Sequence, residues 1–124
     1  MAVSCKTGYS IFYGDQCISS QATGTESLWE RIFGLLGKPP LRSQEALILS
    51  PGCFMIDTFF MKYPIDVAFM DSKNIIVALY PALQPYRMTW PHFKARSAIE
   101  WPAGTIDFWK LKVATQLRIE EKHG

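Results

Sequence analysis

The stretch Phe59–Asn74, FFMKYPIDVAFMDSKN, is almost wholly apolar, yet it carries a carboxylate, Asp66, between Ile65 and Val67. A carboxylate sheltered from water needs a cation or several backbone N–H donors. Two arginines are candidate partners. Arg31 lies in SLWERIFGLLG, where Gly34 one turn on leaves room for close packing. Arg87 lies in QPYRM. With an arginine beside it, Asp66 either clasps loops to a sheet or floors a pocket where it meets a ligand. Asp57 and Thr58 of MIDTFF are the next ligand-binding candidates. Asp57 paired with Asp66 has the composition of a hydrolase acid/base pair, although the sequence sets no separation between them. Cys53 with His92 of WPHFK is the alternative nucleophile and base. No GxSxG elbow and no Gly-rich phosphate loop occurs. The neutral ligand set is too sparse to argue a metal site, and no cofactor is expected.

The elements that must position these residues follow from periodicity. Ser10–Tyr13 and Cys17–Gln21 read as a hairpin about Gly14-Asp15. Ser27 and Glu30 form a capping box, and Trp29, Ile32, Phe33 and Leu36 recur at helical spacing until Gly37 and Pro39-Pro40 end the helix. Strands follow at Ala46–Leu49, Met55–Lys62, Ile65–Met70, Ile75–Tyr80, Ser97–Trp101 and Ala114–Ile119, with a Pro-punctuated loop from Pro81 to Lys94. Thr105 is placed to cap a short helix through Lys110. The four residues Asp71–Asn74 read as a hairpin loop pairing Met70 with Ile75, which sets Asp66 opposite Leu79 and Ala68 opposite Val77. Alternation then puts Asp66, Ala68 and Met70 on one face and Ile65, Val67 and Phe69 on the other. Both faces are apolar, as in a central strand covered on both sides. The fold class is α+β: a small curled mixed or antiparallel β-sheet, barrel- or sandwich-like, with one main helix and one short helix.

The 124 residues fit a single domain spanning 1–124. Net charge is +2, and the bases form no stripe or run, so nucleic acid is not an expected partner. No apolar run approaches the roughly 20 residues of a transmembrane helix. The start, MAVSCKTGYS, lacks a signal-peptide pattern, which favours the cytoplasm; export is the alternative if a signal precedes the chain as written. Cys5, Cys17 and Cys53 show no CxxC spacing and read as reduced thiols, with a Cys5–Cys17 bridge as the exported alternative.

The order of RIFGLLGKPPL, EALILSPGCFMIDTFFMKYPIDVAFMD, LQPYR and IEWPAGT resembles prokaryotic domain-of-unknown-function family 192, over roughly Ala22 to Ile119. FFMKYPIDVAFMD is the most specific part, through Met61, Pro64-Ile65-Asp66 and Asp71. The resemblance implies a compact mixed sheet with few helices and no stated activity. Two departures stand out. Many members have His or Trp just before the motif Thr, where this chain has Asp57, and a Gly-Asp common near the end is replaced by Val113-Ala114-Thr115-Gln116. The family resemblance also implies that members often begin with an export signal.

The leading expectation is a non-catalytic domain that binds a small molecule or protein segment at a polar pocket around Asp66, with Arg31 or Arg87 beside it. Asp66→Asn is then expected to abolish binding at little cost in stability. The alternatives are a hydrolase using Asp57/Asp66 or Cys53/His92, and an accessory factor of envelope, secretion or pilus assembly acting through a patch around Trp90 and Trp109.

Overall fold

The computed structural model describes residues 8–25, 41–50, 52–59 and 61–122. The expected main helix, with Trp29, Arg31 and Gly34, lies outside the described residues, as do Cys5 and the tail histidine His123.

Seven strands form one mixed sheet. They are β1 (Gly8–Tyr13), β2 (Gln16–Thr25), β3 (Glu45–Leu49), β4 (Ile65–Met70), β5 (Ile76–Leu83), β6 (Ser97–Pro102) and β7 (Arg118–Glu121), in the spatial order β5-β4-β6-β3-β2-β1-β7. Among the described strands only β2 and β3 pair in parallel. A parallel pair needs a crossover of a dozen or more residues, and residues 26–44 are that connection. One short helix, α1 (Thr105–Trp109), follows β6. The sheet is not closed into a barrel, although Ile75 before β5 forms a bridge to Gln116 ahead of β7.

Alternation sorts the strand side chains into two cores. Ala46, Ile48, Ala68, Met70, Ile99 and Trp101 pack on one face, with Ile11, Ile18 and Leu117. Leu49, Val67, Phe69 and Ala98 pack on the other, with Ile56, Cys53 and Ala95 from the connecting loops. Every residue of β4 is buried, as expected of a strand covered on both faces. Burying a side chain such as Phe69 contributes about 1.5–3 kcal/mol. In the first core the Trp101 indole N–H donates to Ser19 Oγ at 2.9 Å, so its one polar atom is satisfied.

The β4–β5 register differs from the expectation. Asp71 N–H donates to the Ile75 carbonyl at 3.0 Å, and Asn74 adopts φ 62°. The loop is therefore the three residues 72–74 with a left-handed last residue, and Met70 pairs with Ile76. Asp71 Oδ1 fixes this turn by accepting from the Lys73 and Ile75 N–H groups. Two register shifts follow within the ladder: Met70 pairs with Ile76 but Phe69 with Ala78, and Val67 pairs with Tyr80 but Ile65 with Leu83. Pro81 and Ala82 thus oppose Asp66 together, a β-bulge at a residue that has no N–H to donate.

Three element expectations are corrected. The described residues of Met55–Lys62, 55–59 and 61–62, form a loop, not a strand, with one bridge among them, Asp57 to Met88. The last strand starts at Arg118, because Ala114 takes φ 75° and the chain turns there. Gly104, not Thr105, caps α1, at φ 101°, a conformation that favours glycine; the Thr105 hydroxyl instead donates to the Pro102 carbonyl.

Candidate functional site

Asp66 points into the first core beside its cross-strand partner Trp101 and is fully buried. Its carboxylate accepts three main-chain N–H bonds: from Ala82 at 2.7 Å through Oδ1, and from Gly104 at 3.1 Å and Ile106 at 2.7 Å through Oδ2. The bulge turns Ala82, at φ 49°, so that its N–H meets the acid. The other two donors belong to the first turn of α1, whose N–H groups have no partner within the helix. Where the sequence suggests an arginine, the structure supplies backbone. Arg87 is exposed on a surface loop, and Arg31 lies outside the described residues. Among the described residues Asp66 forms no ion pair.

The second face of the sheet is crossed by a strap of two extended segments, residues 52–59 and 84–93. They are tied by Thr58 N–H to the Arg87 carbonyl at 2.8 Å, Thr89 N–H to Ile56 at 2.9 Å and Tyr86 N–H to Thr58 at 2.9 Å. The buried Thr58 hydroxyl locks the strap, donating to the Gln84 carbonyl at 2.6 Å and accepting from Arg87 N–H at 2.9 Å. Thr58 is thus committed to the backbone, and Arg87 enters through its peptide group. Asp57 points outward from the strap, while Asp66 faces the opposite side of β4 from the face on which Ile56 packs. The structure does not assemble an Asp57/Asp66 pair. His92 Nε2 lies 2.7 Å from the Tyr80 hydroxyl, and its ring packs on Phe69 at 4.9 Å. That nitrogen is engaged by Tyr80 rather than by Cys53, whose sulfur lies 3.8 Å from the Met55 carbonyl.

Beneath the strap is a group that the sequence reading passed over. Glu100 lies on β6 between Leu47 of β3 and Val67 of β4, on the same face as Ala98, and is 7% exposed. Among the described residues no donor hydrogen-bonds its carboxyl. Burial pushes this carboxyl up from its ordinary 4.5 to about 7, and the charge of Asp57 pushes the same way. The Tyr63 hydroxyl is buried with no hydrogen-bond partner, and burial, followed by the Glu100 charge, raises its pKa above 10.0. The Glu100 carboxyl thus feels the charge of Asp57, and the Tyr63 phenol that of Glu100, and of the three only the Tyr63 hydroxyl is buried without a hydrogen-bond partner. The signal was present in SAIEW, where alternation sets Glu100 against an apolar face, but no partner could be read from sequence.

No group of three or more His, Cys, Asp or Glu able to hold a metal ion occurs among the described residues. No helix there is long and apolar enough to cross a membrane.

Comparison with known proteins gives matches in sequence and in fold. A UPF0127 protein of Thermococcus sibiricus is 30% identical over 102 residues, 78% of this chain and 66% of that one, so the match spans just under two thirds of that relative's length. Two solved structures superpose closely. One is a candidate transcription regulator of Sinorhizobium meliloti, at TM-score 0.76 and 14% identity, covering 98% of this chain and 97% of that one. The other is a protein of unknown function from Novosphingobium aromaticivorans, at TM-score 0.77 and 15% identity, covering 94% and 91%. At such identities the likeness is one of fold. The profile of the DUF192 family, described as Uncharacterized ACR, matches residues 14–119, and the chain belongs to that family.

Proposed function

We propose that the protein is a non-catalytic binding domain whose ligand sits at Glu100, Asp57 and Tyr63 rather than at Asp66. The observation that carries this reading is the Tyr63 hydroxyl, buried without a hydrogen-bond partner, beside the buried Glu100, whose carboxyl is pushed up by burial and by the charge of Asp57. A buried polar group without a partner costs about 1–3 kcal/mol, and a ligand that supplies the partner recovers it. The ligand class is an ammonium or amide N–H donor on an apolar body, because Leu47, Val67 and the strap surround the acid. Asp57 adds negative charge for a cation, and the Tyr63 hydroxyl offers a further hydrogen bond. Asp66 and Thr58 serve this site indirectly, by holding the bulge, α1 and the strap in place. The curl of the sheet toward a barrel belongs to the same reading, supported by the Ile75–Gln116 bridge.

A second reading rests on one observation. A carboxyl near pH 7 is suited to general acid/base catalysis, with Asp57 and Glu100 as the pair in place of Asp57 and Asp66. Titration with benzylammonium, followed by amide NMR shifts, separates the two readings. Binding predicts saturable shifts at Leu47, Asp57, Tyr63 and Glu100 that Glu100→Gln abolishes. Absence of those shifts at millimolar probe contradicts the binding reading.

A further inference from the structure

Alternation along the strap has a consequence for its outer surface. Ile56, Thr58 and Thr89 point inward and are buried, which leaves Met55, Phe59, Tyr86, Met88 and Trp90 facing out, all exposed, with Trp90 at 78%. The Asp57–Met88 bridge is a non-hydrogen-bonded pair, so side chains on this face stand close together. Phe93, 73% exposed, stacks on Phe54 at 5.5 Å and extends the surface. Aromatic and methionine side chains gathered this way mark an interaction site rather than scattered surface residues.

Charge identifies the partner. Residues 52–63 and 84–96 hold four bases, Lys62, Arg87, Lys94 and Arg96, against one acid, Asp57. The excess there is +3 while the whole chain carries +2, so the rest of the molecule is slightly acidic. Arg96 is partly engaged, donating to the Phe93 and Ala95 carbonyls, whereas Lys62, Arg87 and Lys94 are exposed and form no ion pair among the described residues.

We propose that the strap face docks on an anionic lipid bilayer, with Trp90, Phe93 and Phe59 seated at headgroup level and the surrounding lysines and arginines on the lipid charges. Tryptophan and tyrosine favour that interface, and juxtaposed basic residues add attraction to anionic lipid. Bilayer docking suits the surface better than base stacking does, because two of its outward residues are methionines and Phe54 and Phe93 stack on each other. The proposal is independent of the ligand at Glu100, since neither Trp90 nor Lys94 belongs to that site.

The test is cosedimentation of the full chain with vesicles of phosphatidylcholine alone or with about 30% phosphatidylglycerol, at low and high salt. The expected result is sedimentation with the anionic vesicles, released by salt. Trp90→Ser and Lys94→Glu, both at exposed positions, should each lower the apparent affinity by about tenfold. No sedimentation, equal sedimentation with neutral vesicles, or binding that both variants leave unchanged would overturn the proposal. So would a protein that ignores vesicles but binds a single-stranded oligonucleotide, or one that forms a dimer dispersed by Trp90→Ser.

Discussion

Asp66 and Glu100 are both buried carboxylates on adjacent strands, and their hydrogen bonds separate their roles. Asp66 receives three backbone N–H groups, so its charge is compensated by the chain itself. Asn at this position keeps one acceptor oxygen and turns an NH2 group toward remaining donors. Asp66→Asn is therefore expected to cost about 3 kcal/mol or more in urea unfolding, which reverses the small cost expected from sequence. A loss below about 1 kcal/mol would show that the clasp is dispensable. Glu100 receives no such donors. Its raised pKa means that the folded state holds the proton more tightly than the unfolded state does between about pH 4.5 and about 7. Stability then falls as pH rises through that window, by on the order of 3 kcal/mol. Unfolding curves of wild type and Glu100→Gln should diverge by about that amount between about pH 4.5 and about pH 8, with the wild type losing more.

At the scale of elements, the strap depends on one hydroxyl. Thr58→Val keeps the shape and removes the hydrogen bonds of Oγ1 to the Gln84 and Arg87 carbonyls and from the Arg87 N–H, leaving that N–H without its acceptor. Amide hydrogen exchange at Tyr86, Arg87 and Thr89 should accelerate about tenfold or more, with β4 and β6 unchanged. Equal acceleration across the sheet would mean that the strap opens only with the whole molecule. The strands were legible where alternation was clean, as in IDVAFM and SAIEW. Their register was not, because the left-handed Asn74, the irregularity between Phe69 and Met70 and the bulge at Pro81 each shift the ladder, and none of these is visible in hydropathy. Met55–Lys62 carries strand-like residues, but its backbone pairs with the loop at 84–93 rather than with the sheet. At the candidate site, Asp57 and Thr58 could be singled out by residue type, while Glu100 needed the pairing of β3, β6 and β4 to show that it lies buried between Leu47 and Val67.

At the scale of the whole molecule, the sheet divides the protein into two cores with different tasks. The first, closed by Trp101, α1 and the Asp66 clasp, has no buried side-chain polar atom without a partner among the described residues. The second lies under the strap and holds the buried Glu100 and the unpartnered Tyr63 hydroxyl, while the strap's outer face holds the exposed aromatics. The proposed ligand site and the proposed docking face thus lie on one side of the sheet, and the Asp66 clasp on the other. The most direct test is the pH titration of the Glu100 side-chain carboxyl by carbon NMR, with and without benzylammonium. The account predicts a midpoint near 7 for the protein alone, falling by about one unit or more when a cation occupies the site. A midpoint near 4.5, unmoved by the probe, would contradict it.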